Sequence, residues 1–155
     1  MKISMVSKDS FSVIGLLASG KAANAVEWIQ SLWQQAFARR SEIEAHIRPD
    51  AWGLMSGPSS FLSQWGDKGQ YLAGWELKSQ PVAPKGWHIW QVPPHLFATV
   101  DCTLASYAQA LEVLKAGYSQ GGKYAQSGAI HEYYPSTFCD PATDTFHLCM
   151  MVTEL

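Results

Sequence analysis

The sequence predicts an α+β fold in which a β-α-β-β unit occurs twice about a pseudo-twofold axis, with antiparallel sheet, helices on one face and a cleft at the seam. Three observations predict it. The order of elements repeats along the chain, a proline-rich stretch from Pro81 to Pro94 splits the repeat, and 47% apolar residues against 15% charged are enough for a packed core. A length of 155 residues suits one domain, residues 1–155, with halves of about 1–80 and 95–155.

In the first half, Phe11 to Leu17 is apolar and β-branched, as a strand requires, and Ser19-Gly20 punctuates it. A helix follows. Asn24 stands three residues before Glu27, an N-cap with a partner able to reach back, and Val26, Ile29, Leu32, Trp33, Ala36 and Phe37 recur at helical spacing. Pro49 closes the next segment. Two short strands come after it, Ala51 to Ser56 ending at Gly57-Pro58, and Tyr71 to Leu77 ending before Pro81. The loop between them is rich in Ser and Gly and carries Phe61 and Trp65. The four prolines between 81 and 94, with Trp87 and Trp90 among them, read as a linker with an anchored centre.

The second half starts again with a strand, Leu96 to Cys102. Leu104, Ala108, Leu111, Leu114 and Tyr118 form the stripe of a second amphipathic helix, with Thr103 as its cap. Gly121-Gly122 is a turn. Ala129 to Tyr134 and Phe146 to Val152 are strands separated by a Pro/Asp/Thr loop. Identity between the halves is slight, so the repeat is one of order and spacing. Each half forms a sheet with one face covered, and two such sheets can bury their remaining faces against each other.

Charge excludes some classes of partner. The net charge of −2 and the scattered Lys and Arg leave no basic footprint for nucleic acid. No run nears the roughly 20 apolar residues of a membrane helix, and the N-terminus lacks the apolar stretch of a signal peptide. The odd set Cys102, Cys139 and Cys149 reads as reduced thiols, hence a cytoplasmic protein. His131, His147, Cys139 and Cys149 lack zinc-ligand spacing, so no metal is expected, and no phosphate loop or other cofactor motif is present. Nothing resembles a nucleophile elbow.

Aromatic residues are the unusual feature. Seven Trp, six Tyr and six Phe, several in turn-like surroundings, suggest a concave surface more than a minimal core.

One resemblance runs through the chain. Ile130-His131-Glu132-Tyr133-Tyr134-Pro135 followed by Phe146-His147-Leu148-Cys149-Met150 is similar to the closing hairpin of GyrI-like (AraC-type effector-binding) domains. There, an aromatic-flanked glutamate precedes an aliphatic last strand. Tyr71 to Leu77 resembles the family's third strand, and Gly86-Trp87 through Pro93-Pro94 to Phe97-Ala98 resembles its joint. The doubled tyrosine and the tryptophans of the joint depart from the pattern. Regulators of this family carry a helix-turn-helix segment beside the domain. With strands from about Phe11 nearly to Leu155, this chain is expected to be the sensor part alone.

The resemblance implies a pocket for small amphipathic, cationic or planar aromatic compounds, with Glu132 at its floor. The chemistry is simple. A carboxylate ringed by aromatic side chains is poorly solvated, so it either takes up a proton or attracts a cation with apolar surface of its own. Each well-placed ring adds about 0.5–2 kcal/mol to such a cation. Read as an isolated strand residue, Glu132 would instead face solvent or pair with Lys or Arg. Ile130, Glu132 and Tyr134 share one strand face by the period of two. The candidate ligand-binding residues are Glu132, Tyr134, Trp52, Tyr71, Trp75, Phe97 and Trp90. Trp65, Trp87 and Trp90 lie in loops, as a lid or towards a partner, and Trp33 and Phe37 belong to the core. Two alternatives stay open. One is a hydrolase resembling the family members that open cyclopropane rings of genotoxins, with Glu132 activating water and Tyr134 positioning substrate. The other is a protein-interaction domain resembling gyrase inhibitors. Exposed apolar loops would also suit a homodimer.

Overall fold

Ten principal elements follow one another in the chain: β1 (Ser4–Lys8), β2 (Phe11–Lys21), α1 (Ala25–Ala38), β3 (Ile47–Ser56), β4 (Lys68–Leu77), β5 (Trp87–Val92), β6 (His95–Cys102), α2 (Tyr107–Gly117), β7 (Tyr124–Tyr134) and β8 (Phe146–Glu154). The computed structural model describes all 155 residues. The six strands and two helices expected from the sequence are present. Two strands, β1 and β5, were not expected. β1 is short and polar, and prolines on both sides of β5 give it the look of a linker.

The strands form one antiparallel sheet in the order β1-β6-β8-β7-β3-β4-β2-β5. This corrects the expectation of two sheets packed face to face: the halves join edge to edge, where β3 pairs with β7 through Ala51↔Tyr134, Trp52↔Tyr133 and Gly53↔Glu132. The order reads the same when β1 to β4 are exchanged with β5 to β8. The symmetric unit is therefore β-β-α-β-β, one strand longer than the sequence suggested.

Each half lends its first strand to the other: β1 pairs with β6, and β5 with β2. In a flat sheet the first and seventh strands would stand roughly 29 Å apart. Asp9-Ser10, which join β1 to β2, span at most about 11 Å. The sheet must therefore curl. The register shows how: Lys8 faces His95, and three residues on Phe11 faces Val92, so one continuous two-stranded ribbon bends at Asp9-Ser10 and Pro93-Pro94. Proline has no N–H to give the ladder, which lapses at that bend.

Both helices lie on one face. α1 sets Leu32 and Ala36 against Ile14, Leu16, Tyr71, Ala73 and Trp75 of β2 and β4. α2 sets Ala110 and Leu114 against Val100, Phe146, Leu148 and Met150 of β6 and β8. The inward stripe of α2 is thus the half-buried Tyr107 with the buried Ala110 and Leu114, while Leu104 of the expected stripe is exposed. On α1, Val26 and Phe37 are exposed as well. Truncating Leu114, which is fully buried, to alanine costs about 2–5 kcal/mol. The expected caps differ in detail. Asn24 precedes α1 without a side-chain cap bond. Ahead of α2, the Thr103 amide donates to Ser106 Oγ at 2.9 Å and the Ser106 amide to Thr103 Oγ1 at 3.3 Å, a reciprocal pair one turn before the helix.

The helix-free face is buried by the curl. Val13, Trp52, Leu54, Leu72, Val92, Phe97, Cys149 and Met151 pack there, joined by Leu62 from the loop after β3.

Candidate functional site

Glu132 lies on β7 in the middle of the sheet, facing Gly53 on one side and Leu148 on the other. It is 6% exposed. None of the chain's ion pairs includes it. Its partners are three phenols. Tyr71 donates to Oε1 at 2.5 Å, Tyr134 to Oε1 at 3.0 Å, and Tyr107 to Oε2 at 2.6 Å.

Each donor arrives from a different element. Tyr134 is two residues along β7 and so shares the face of Glu132. Tyr107 opens α2. Tyr71 belongs to β4, and β3 lies between β4 and β7, so its side chain must pass over β3 to reach the carboxylate. Gly53 permits this. A Cβ at that position would stand 1.8 Å from Tyr71 Oη and 2.8 Å from Glu132 Oε1. A fourth element closes the group: Trp33 of α1 donates from Nε1 to Tyr71 Oη at 2.9 Å. Its indole meets Tyr71, Trp75 and Tyr134 edge to face, with centroids 5.8–6.4 Å apart. Phe37 packs on Trp33 and Trp75 at the outer end, and Phe138 and Phe146 pack on Tyr134 from the other side.

Burial pushes the Glu132 carboxyl above its usual range, and the hydroxyls of Tyr107, Tyr71 and Tyr134 oppose that by favouring the charged form. In return the buried phenols are held protonated, by desolvation first and by the carboxylate second. The result is a buried acceptor supplied only by neutral donors. Of the roughly four lone-pair positions of a carboxylate, three are used.

The structure brings Glu132, Tyr134, Tyr71 and Trp75 together and separates the other three candidates. Trp52, Phe97 and Trp90 lie on the helix-free face. Trp52 is clasped between Phe11 and Tyr133, each with ring centroids 4.7 Å away. Phe97 meets the edge of His131, and Trp90 packs on Phe61. Trp87 and Trp90 are strand residues of β5, not loop residues. Trp87 is buried and donates to Glu42 Oε1 at 3.2 Å. Trp65 does lie in a loop, stacked on Trp28. Two surface cavities, about 570 and 310 Å³, flank the 57–64 loop with serine, glycine and glutamine in their walls, and Glu132 lines neither.

Comparison with solved structures bears on the whole chain. SAV2435, solved bound to tetraphenylphosphonium, superposes with a TM-score of 0.75 at 12% identity, over 99% of this chain and 94% of that one. The C-terminal domain of EcmrR gives 0.68 at 11%, over 99% and 98%. This is their fold. An integron cassette protein of Vibrio cholerae gives 0.65 at 13%, over 97% and 95%. No family model matches the sequence, and no curated protein matches it.

Three residues of the site escaped the sequence reading. For Tyr107 the sequence offers two competing stripes, one through Leu104 and Ala108 and one through Tyr107, Ala110 and Leu114, equally helical in spacing. Trp33 lies in the helix stripe like a core residue, and only its indole N–H, bonded to Tyr71 Oη, sets it apart from a packing residue. Gly53 carried no signal, because its role is to leave room for a side chain from another strand.

Proposed function

We propose that the domain binds lipophilic cations at Glu132, within the cluster of Tyr71, Tyr107, Tyr134, Trp33 and Trp75, as a small-molecule-binding module of the GyrI-like kind. The observation that carries this is a buried carboxylate with no cation of its own, all of whose hydrogen bonds come from neutral phenols. A guest that brings a positive charge and flat apolar surface meets both the unbalanced charge and the rings. The fold shared with a protein solved bound to tetraphenylphosphonium supports the same reading. The guest enters by parting the rings. Phe37, 61% exposed at the outer end of the cluster, and the half-buried Trp33 are the rings through which it would pass.

The test is a titration with tetraphenylphosphonium followed by tryptophan fluorescence, in the wild type and in Glu132→Gln. Saturable quenching is expected in the wild type, with affinity about tenfold or more weaker in the variant, since a charged partner is worth about 1.5–3 kcal/mol. Equal affinity in both proteins would remove Glu132 from the site.

A further inference from the structure

We infer that the helix-free face carries a second cation-recognising site, for an alkylammonium group, and that the chain's own Lys8 occupies it. Lys8 Nζ lies 3.0 Å from Glu76 Oε1, 4.7 Å from the centroid of Phe11 and 5.9 Å from that of Trp52. These distances are those of an ammonium held by a carboxylate and two aromatic faces. The parts are built in. The Glu76 side chain is only 10% exposed, against 35% for that of Lys8, and Trp52 is fixed between Phe11 and Tyr133.

The carboxylate side of this arrangement belongs to the sheet and the ammonium side to its margin. Glu76 stands on β4, opposite Val13 and on the face of Leu72, both fully buried. Lys8 is the last residue of the edge strand β1, next to the bend at Asp9-Ser10. Withdrawing the ammonium would leave a carboxylate among rings with no counter-charge, the situation described for Glu132 on the opposite face. The two sites are composed alike, a carboxylate with aromatic neighbours. One is served by phenols and the other by a tethered amine. Lys8 thus acts as a resident guest that keeps the site on the helix-free face closed to free cations. Trp52 reports on the site, because its ring centroid lies 5.9 Å from the Lys8 ammonium, and its buried Nε1 has no hydrogen-bond partner to hold its signal elsewhere.

The experiment removes the resident amine. Lys8→Ala is titrated with n-butylammonium, with n-butanol as the neutral control, and followed by the NMR signal of the Trp52 indole N–H and by the thermal midpoint. The expected result is a saturable shift of that signal and a rising midpoint with butylammonium, neither with butanol, and neither in the wild type. Lys8→Ala/Glu76→Gln should lose the response, and Lys8→Ala/Glu132→Gln should keep it, which separates this site from the one proposed at Glu132. If Lys8→Ala does not fold in buffer, the titration is run as refolding from urea, where butylammonium and not butanol restores the folded signal. No response to butylammonium in either format, or an equal response to butanol, overturns the inference.

Discussion

Tyr71 and Gly53 share one volume: the phenol oxygen of the first lies 1.8 Å from where the Cβ of any larger residue at the second would be. The Tyr71–Glu132 hydrogen bond exists because residue 53 has no side chain. In Gly53→Ala the ring must move off the carboxylate, and overpacking of this kind costs about 1–3 kcal/mol. Urea unfolding should show that loss. Weakened cation binding should accompany it, since Trp33 and Glu132 are both tied to the displaced hydroxyl.

The three phenols are not equivalent. Tyr107 is the only donor to Glu132 Oε2, whereas Tyr71 and Tyr134 share Oε1, the latter at 3.0 Å. Tyr107→Phe therefore leaves a buried oxygen unpaired and should cost about 1–3 kcal/mol. Tyr134→Phe should cost less. The order of denaturation midpoints, wild type above Tyr134→Phe above Tyr107→Phe, is the measurement.

Acidity at the site runs in a defined direction. Burial raises the Glu132 carboxyl in the native state above the ordinary value of 4.5. Between those two values the folded chain holds a proton that the unfolded chain has released, so the stability this group contributes is complete below about 4.5 and fades as pH climbs through the native value. The stability of the wild type relative to Glu132→Gln should fall over that range. Affinity for tetraphenylphosphonium should do the opposite and rise with pH as the carboxylate ionises, while Glu132→Gln stays flat.

His131, next in the chain and on the other face, behaves as a neutral spacer. The Met55 amide donates to its Nδ1 at 3.0 Å where the β3–β7 ladder has ended, and Nε2 lies 3.2 Å from Met151 Sδ, which places the ring proton on Nε2. Burial lowers its pKa to about 3. An unfolded histidine titrates near 6.5, so this residue contributes stability above that pH which is lost as pH falls towards 3. In a ¹⁵N NMR titration of the five histidines, the His131 ring should stay neutral from pH 7 down to 4.

Much of this was legible in the sequence, and what was not has a physical reason. Apolar periodicity revealed both helices and the six strands that pack against them. The period of two put Glu132 beside Tyr134. It could not say which face of β3 or β6 looks towards the helices, so Trp52 and Phe97 were grouped with residues on the far side of the sheet. β5 was hidden because its prolines sit just outside it, at a bend in the ladder where missing N–H groups do no harm. Tyr107 and Gly53 matter through neighbours distant in the chain, and no local pattern reports that.

The exchange of first strands has a consequence for how the protein comes into being. Residues 4–8 have no strand neighbour until residues 95–99 exist, and residues 87–92 close over a strand made about seventy to eighty positions earlier. Cutting the chain near residue 80 would thus yield two fragments, each carrying an orphan edge meant for its sibling. Synthesis on the ribosome must pass the midpoint before the first strand can settle, and pairings so distant in the chain are slow to form.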